Sequence, residues 1–291
     1  MNRQAAKTAS IIRAVPFEPL VAHRPHVNSH TATQGPKLLR LSDIESRPTD
    51  WLWSERIPLG ELTILDGDPG SNKSSFLLDL AARVSTGREM LDGSPGVEGG
   101  VILLLGEDSV AKTVRRRLEV AEADLDRIAV LDQEVALPRD LEHIEEAAFE
   151  FDARLIIIDP LMPFLSVASN GDHSVRKALT PLAVMAERGN TAVVMVRHLT
   201  KRGRGSGLYR GAGSIGIIGA TRSGLLIGRS PDEPAFRVLC QTKSNLGPIA
   251  PSLLFEPVDC GGVPQIEFRG ECDYSPDDVL GPQQAHESRL A

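Results

Sequence analysis

Aromatic side chains are scarce in this 291-residue chain: two Trp, two Tyr and eight Phe, 4% in all. Hydrophobic residues still reach 41%, so the interior has to be aliphatic, which suits a parallel sheet covered by helices on both faces. Cysteine is equally sparse. Cys240, Cys260 and Cys272 lie far apart with no Cys-x-x-Cys pair, which excludes a disulfide framework and a zinc pattern and suits a reducing cytoplasm. No apolar run approaches a membrane span, and the first residues lack a continuous apolar signal segment, so no membrane association is expected. The chain also lacks overall basic charge, with a net −7. Residues 1–40 carry six Lys/Arg against one acid, and residues 271–291 carry one Arg against five acids. Any affinity for nucleic acid must therefore come from a local patch.

What is present is alternation. Residues 1–40 mix Pro, His, Thr, Gln and Arg without periodicity and read as a flexible basic arm, in which His23, His26 and His30 are chance neighbours rather than a metal cluster. Residues 271–291 read as a flexible acidic tail, leaving one domain over 41–270. Within it, apolar runs at 62–66, 101–105, 128–131, 155–158 and 192–196 alternate with helical spacing at 74–86, 110–123, 140–150 and 174–188. This predicts an α/β fold with a mostly parallel sheet, flanking helices and right-handed crossovers. The closely spaced runs at 223–228, 235–240 and 251–256 predict antiparallel strands added at the C-terminal edge. Trp51 and Trp53 alternate about Leu52, which predicts a hydrophobic anchor for the entering chain rather than a base-stacking platform.

The chemistry starts at Gly67-Asp68-Pro69-Gly70-Ser71-Asn72-Lys73-Ser74-Ser75, which follows a strand pattern and opens a helix pattern. In that setting backbone N–H groups and a helix N-terminus converge on phosphate oxygens. Lys73 is then expected to reach the β- and γ-phosphates of a nucleoside triphosphate, and the Ser74 hydroxyl to ligate Mg²⁺. The sixth position of such loops is ordinarily glycine. Asn72 stands there, and Asn is one of the few other residues that enter left-handed geometry at modest cost. The expectation is a loop of ordinary shape with weakened nucleotide binding. The run Arg154-Leu-Ile-Ile-Ile-Asp159-Pro160 reads as a buried strand ending in a carboxylate, either a metal partner for Ser74 or the start of a turn. A second strand runs into Gly106-Glu107-Asp108-Ser109. Glu107 is the candidate general base for an attacking water, with Asp108 or Ser109 as helix cap.

Taken in order, a phosphate loop, a strand ending in Glu and a strand ending in Asp-Pro resemble the RecA-like ATPases. The segment Trp51-Leu-Trp-Ser-Glu-Arg-Ile-Pro-Leu-Gly-Glu-Leu-Thr-Ile-Leu-Asp-Gly-Asp-Pro-Gly is similar to the entry of the RepA/DnaB-type hexameric helicase branch, the RepA-like AAA-family ATPases. The resemblance spans roughly residues 41–258. It implies a RecA-like P-loop NTPase core, ATP as substrate, Mg²⁺, self-association into a ring or filament, and single-stranded DNA as partner. It also implies roles for later residues. His198, ending Val193-Val-Met-Val-Arg-His, matches the γ-phosphate sensor. The Gly-rich segment with Lys201, Arg202, Arg204 and Arg210 matches a channel loop that tracks a phosphate backbone, although a solvated flexible loop has the same composition. Lys243, in Lys-Ser-Asn, matches a basic finger that reaches the γ-phosphate of an adjacent subunit, and Arg237 is a weaker candidate for that role. A surface lysine in a hairpin is the plain alternative. Two further functional readings stay open: a repair or recombination ATPase forming filaments, and a nucleotide-binding regulator with weak turnover because of Asn72.

Overall fold

Every residue of Leu62–Gly67 is buried, because this strand lies inside a sheet covered on both faces. The computed structural model describes residues 38–131, 134–166, 171–199 and 215–281. The chain divides into two compact units, residues 1–47 and 48–291. The described part of the first holds a single 3₁₀ turn, Leu41–Asp43. The second unit contains β1 (Trp51–Trp53), β2 (Ile57–Pro58), β3 (Leu62–Gly67), α1 (Lys73–Thr86), β4 (Gly100–Leu105), α2 (Arg115–Val120), β5 (Ile128–Val130), α3 (Leu141–Glu150), β6 (Ala153–Asp159), α4 (Asp172–Gly189) and β7 (Ala192–His198). It continues through α5 (Ile215–Ala220), β8 (Ser223–Arg229), β9 (Arg237–Ser244), β10 (Ser252–Asp259), β11 (Pro264–Cys272) and α6 (Pro276–Leu280).

β1 and β2 form a small hairpin, and the other nine strands form one sheet in the order β11-β10-β9-β8-β3-β7-β6-β4-β5. The strands from β5 to β8 along this order are mutually parallel, whereas β9, β10 and β11 join antiparallel. The predicted architecture is the observed one, with one difference. The run at 223–228 is not part of the antiparallel extension, since β8 pairs with β3 in parallel. Only its other neighbour, β9, runs opposite.

The period of two in each strand splits the core into two layers. Leu65, Val101, Leu103, Leu155, Ile157, Val194 and Val196 face α1 and α2, where Phe76, Leu77, Leu80, Val84 and Leu118 meet them. Ile64, Ile102, Leu104, Ile156, Ile158, Val193 and Met195 face α3, α4 and α5, represented by Ile144, Val175, Leu179, Leu182 and Ile217. Both faces of each strand are apolar, as doubly covered parallel strands require. Trp53 is 1% exposed and stacks on Phe76 with ring centroids 6.0 Å apart, a contact of about 0.5–1.5 kcal/mol. Its indole N–H donates to Asp92 Oδ2 at 3.0 Å. This is the anchor expected of it, but a bulge between Trp51 and Trp53 breaks their alternation, and Trp51 stays half-buried.

Ordered structure continues beyond residue 270. Glu271 and Cys272 close β11, and α6 begins with a reciprocal capping box between Ser275 and Asp278 and a proline at its first turn. Both are strong local start signals. Val279 of α6 is buried beside Gly228 of β8, where an added Cβ would fall 2.1 Å from Val279 Cγ1. Among the described residues no helix is long and apolar enough to cross a membrane.

Candidate active site

The parallel register brings the predicted residues to one edge. Gly67 is the Cα partner of His198 on β7 and of Ile227 on β8, and Leu105 is the partner of Asp159 across β4 and β6. The phosphate loop, the Glu107 turn, Asp159 and His198 therefore all emerge at the carboxyl ends of the parallel strands, where open α/β sheets bind ligands.

The loop has the backbone its spacing predicts. A Cβ on Gly67 would lie 2.5 Å from the Ile227 carbonyl oxygen and 2.8 Å from Ser71 Oγ, so glycine is required by close approach rather than by φ. Gly70 takes φ +77 and Asn72 takes φ 68, ψ 24. Asn72 thus holds the left-handed conformation expected of it in place of glycine. Its side chain does not cap α1; instead Arg237 Nε donates to Asn72 Oδ1 at 3.1 Å.

Lys73 is buried and its ammonium donates to the carbonyl oxygens of Gly67 and Asp68, both at 2.9 Å. Burial lowers its pKa, against the opposing fields of Asp159, Asp68, Asp66 and Glu107. Ser74 Oγ donates to Asp159 Oδ2 at 2.6 Å. Burial raises the Asp159 pKa, and the Ser74 hydrogen bond and the Lys73 charge oppose that rise. Glu107 makes no hydrogen bond or ion pair among the described residues, because helix capping falls to Ser109, whose Oγ accepts from Lys112 N–H, and Asp108 pairs with Arg117 at 3.2 Å. Val110–Val114, between this turn and α2, is a π-helical turn.

Asn72, Lys73, Ser74, Glu107, Asp159 and His198 line one cavity of about 310 Å³, together with Asp108, Arg117 and Pro264. Ser71 Oγ and His198 Nδ1 are buried without a hydrogen-bond partner among the described residues, the condition of polar groups arranged for a ligand. The hard oxygens of Ser74 and Asp159 fit Mg²⁺. No group of three or more His, Cys, Asp or Glu able to hold a metal occurs among the described residues. Mg²⁺ suits so few protein oxygens because it keeps water and phosphate ligands of its own.

Lys243 lies elsewhere. β9 runs antiparallel to β8, so Lys243 pairs with Gly224 at the start of β8, while Ile227 near the other end of β8 pairs with Gly67. Lys243 Nζ donates to the carbonyl oxygens of Ile218 and Thr221, both at 2.6 Å, closing the C-terminus of α5. The structure does not bring it to its own chain's phosphate loop. Lys201, Arg202, Arg204 and Arg210 lie outside the described residues.

Sequence reasoning missed three features of this edge. Arg117 enters the cavity from α2, Pro264 enters it from β11, and a buried pair lies directly beneath the loop. Arg197 Nε and Nη2 donate to Asp66 Oδ1 and Oδ2 at 2.7 and 2.8 Å. That last signal was available: an acid and a base each interrupt an apolar strand just before Gly67 and His198. Nothing in the sequence ties Asn72 to Arg237, 165 residues away.

A strand–loop–helix phosphate loop, with Ser74 hydrogen-bonded to Asp159 and Glu107 without a hydrogen-bond partner among the described residues, has the form of a phosphate-loop nucleoside triphosphatase. The family model described as AAA domain matches residues 34–204. The chain belongs to this AAA domain family, a RecA-like P-loop ATPase family. It is also similar to curated proteins named DNA repair protein RadA. That of Halalkalibacterium halodurans is 31% identical over 150 residues, 50% of this chain and 29% of the relative. That of Bacillus subtilis is 26% identical over 150 residues, with the same two shares. That of Mycobacterium tuberculosis H37Rv is 30% identical over 149 residues, 50% of this chain and 28% of the relative. The chain therefore spans less than a third of the length of these relatives.

Proposed function

We propose that this chain is a Mg²⁺-dependent ATPase that couples hydrolysis to single-stranded DNA. The observation that carries the reading is the meeting of Lys73, Ser74, Glu107, Asp159 and His198 in one cavity. Lys73 and the loop N–H groups would hold the β- and γ-phosphates, and Asn72 and Ser75 complete the turn that aims those groups. Ser74 and Asp159 would hold Mg²⁺, which neutralises charge on the phosphate oxygens. Glu107, without a hydrogen-bond or ion-pair partner among the described residues, orients and deprotonates the attacking water. His198 faces the same cavity with Nδ1 unpaired and is suited to report loss of the γ-phosphate to residues 199–214, which contain Lys201, Arg202, Arg204 and Arg210.

Self-association belongs to the proposal. Lys243 lies at the edge opposite its own loop, so its role toward phosphate requires a neighbouring copy in a ring or filament. The relatives named DNA repair protein RadA favour DNA repair as the setting. The RepA/DnaB-type helicase reading rests on the motifs and the Trp51–Gly70 segment, and a strand-separation assay distinguishes it.

The test is steady-state ATP hydrolysis by the full chain with and without a single-stranded oligonucleotide. The expected result is turnover that the oligonucleotide accelerates and Lys73→Ala abolishes. Nucleotide binding without turnover in either condition would overturn the reading and favour a regulatory binding protein.

A further inference from the structure

Arg237 is 9% exposed, yet no carboxylate pairs with it among the described residues. Its guanidinium is held by neutral oxygens: Nη1 donates to the carbonyls of Pro234, Ala235 and Phe236 at 2.9, 3.2 and 3.0 Å, and Nε donates to Asn72 Oδ1. The charge that acts on it among the described residues is another cation, Arg229. Arg229 is its direct cross-strand partner, and burial together with Arg229 lowers the Arg237 pKa. Like charges directly opposite on adjacent strands are unfavourable. A buried cation without a counter-ion is costly as well. Both residues border the phosphate loop: Arg229 lines a second cavity with Asp68, Pro69, Gly70 and Ser71, and Arg237 reaches the loop through Asn72.

An anion beside the loop offsets both costs. We propose that Arg237 is a phosphate-binding residue of this chain's own nucleotide site, held beside the loop by the Asn72 carboxamide. The proposal rests on the nucleotide-binding reading above and deepens it. Asn72 is then a working part of the loop. It takes the left-handed backbone that glycine usually supplies, and its Oδ1 anchors a cation that glycine could not hold. This reverses the expectation drawn from sequence alone, in which Asn72 weakens binding. It also gives Arg237 a role toward its own subunit's nucleotide rather than a neighbour's. The anion is the diphosphate portion of a nucleotide, because the anchor is a residue of the phosphate loop itself.

The test is equilibrium titration of the full chain with a fluorescent ADP analogue, checked by circular dichroism melts. Arg237→Ala should weaken ADP binding about tenfold or more, the worth of a charge-assisted hydrogen bond, and reduce its salt dependence. Arg237→Lys should recover part of the affinity, because it restores the charge without the planar fork. Asn72→Gly should also weaken binding, and in the Arg237→Ala background it should add nothing, since the two act as one unit. Should Arg237→Ala fail to fold, Asn72→Gly alone decides: tighter or equal ADP binding overturns the proposal. Unchanged ADP affinity in a folded Arg237→Ala overturns it too, and a loss confined to single-stranded DNA binding assigns the cation to DNA instead. Failure of the wild-type chain to bind ADP at all would count against the nucleotide reading itself.

Discussion

Asp66 and Arg197 sit one residue below Gly67 and His198, on adjacent strands, with side chains 1% and 2% exposed. The pair fixes the phosphate loop and the sensor strand to each other from beneath. Burial raises the Asp66 pKa in spite of Arg197. Removing only the cation therefore leaves an acid in an apolar layer. Arg197→Met should cost about 3–5 kcal/mol, read as a lower urea midpoint. Asp159 is a second carboxylate that burial disfavours in its charged form. Its pKa is raised in the folded chain by burial, so the folded state binds more protons than the unfolded state as the group titrates. Its contribution to stability is largest below the unfolded carboxylate pKa and is lost as pH rises through the folded value. Asp159→Asn should consequently raise the melting temperature at pH 7, with the gain vanishing toward the ordinary carboxylate pKa of about 4, while abolishing Mg²⁺-dependent turnover. A lower melting temperature at pH 7 would contradict this account of the site.

At the scale of elements, the strands were readable where their own residues carried the signal. Continuous aliphatic runs marked β4, β6 and β7, and the acids and loop residues ending them marked the ligand edge. Lys73, Ser74, Glu107, Asp159 and His198 could be placed at that edge for that reason, and they line one cavity there. The neighbours of a strand were not, because pairing direction is set by partners far away in sequence, and β8 was read as antiparallel although β3 accepts it in parallel. The Arg237–Asn72 contact was hidden for the same reason. The segment after residue 270 was read from its acidity, but α6 starts on a capping box and docks through Val279, with Leu280 and Tyr274 packed against the same cluster. Gly228 makes that docking possible. Gly228→Ala would drive a methyl into Val279, and should cost about 1–3 kcal/mol as overpacking. The same variant should expose the C-terminal segment to limited proteolysis, and unchanged protease resistance would show that α6 is held by other contacts.

At the scale of the whole molecule, the charge is −7, which repels a polyanion unless a local basic segment receives it. Residues 201–210 carry four of the cations that can do so. Changing Lys201, Arg202 and Arg204 to Ala should weaken single-strand binding and flatten its dependence on salt by about one phosphate contact per charge removed. Binding with the wild-type salt slope would move the DNA site elsewhere. In the proposed function the cavity at the carboxyl edge of the sheet hydrolyses the nucleotide it binds, with Glu107 as base. The most direct measurement is ATP turnover by Glu107→Gln beside wild type, at nucleotide concentrations that saturate both. The expected result is retained binding with turnover lowered by about 10²–10⁴-fold; turnover equal to wild type would rule out Glu107 as the base.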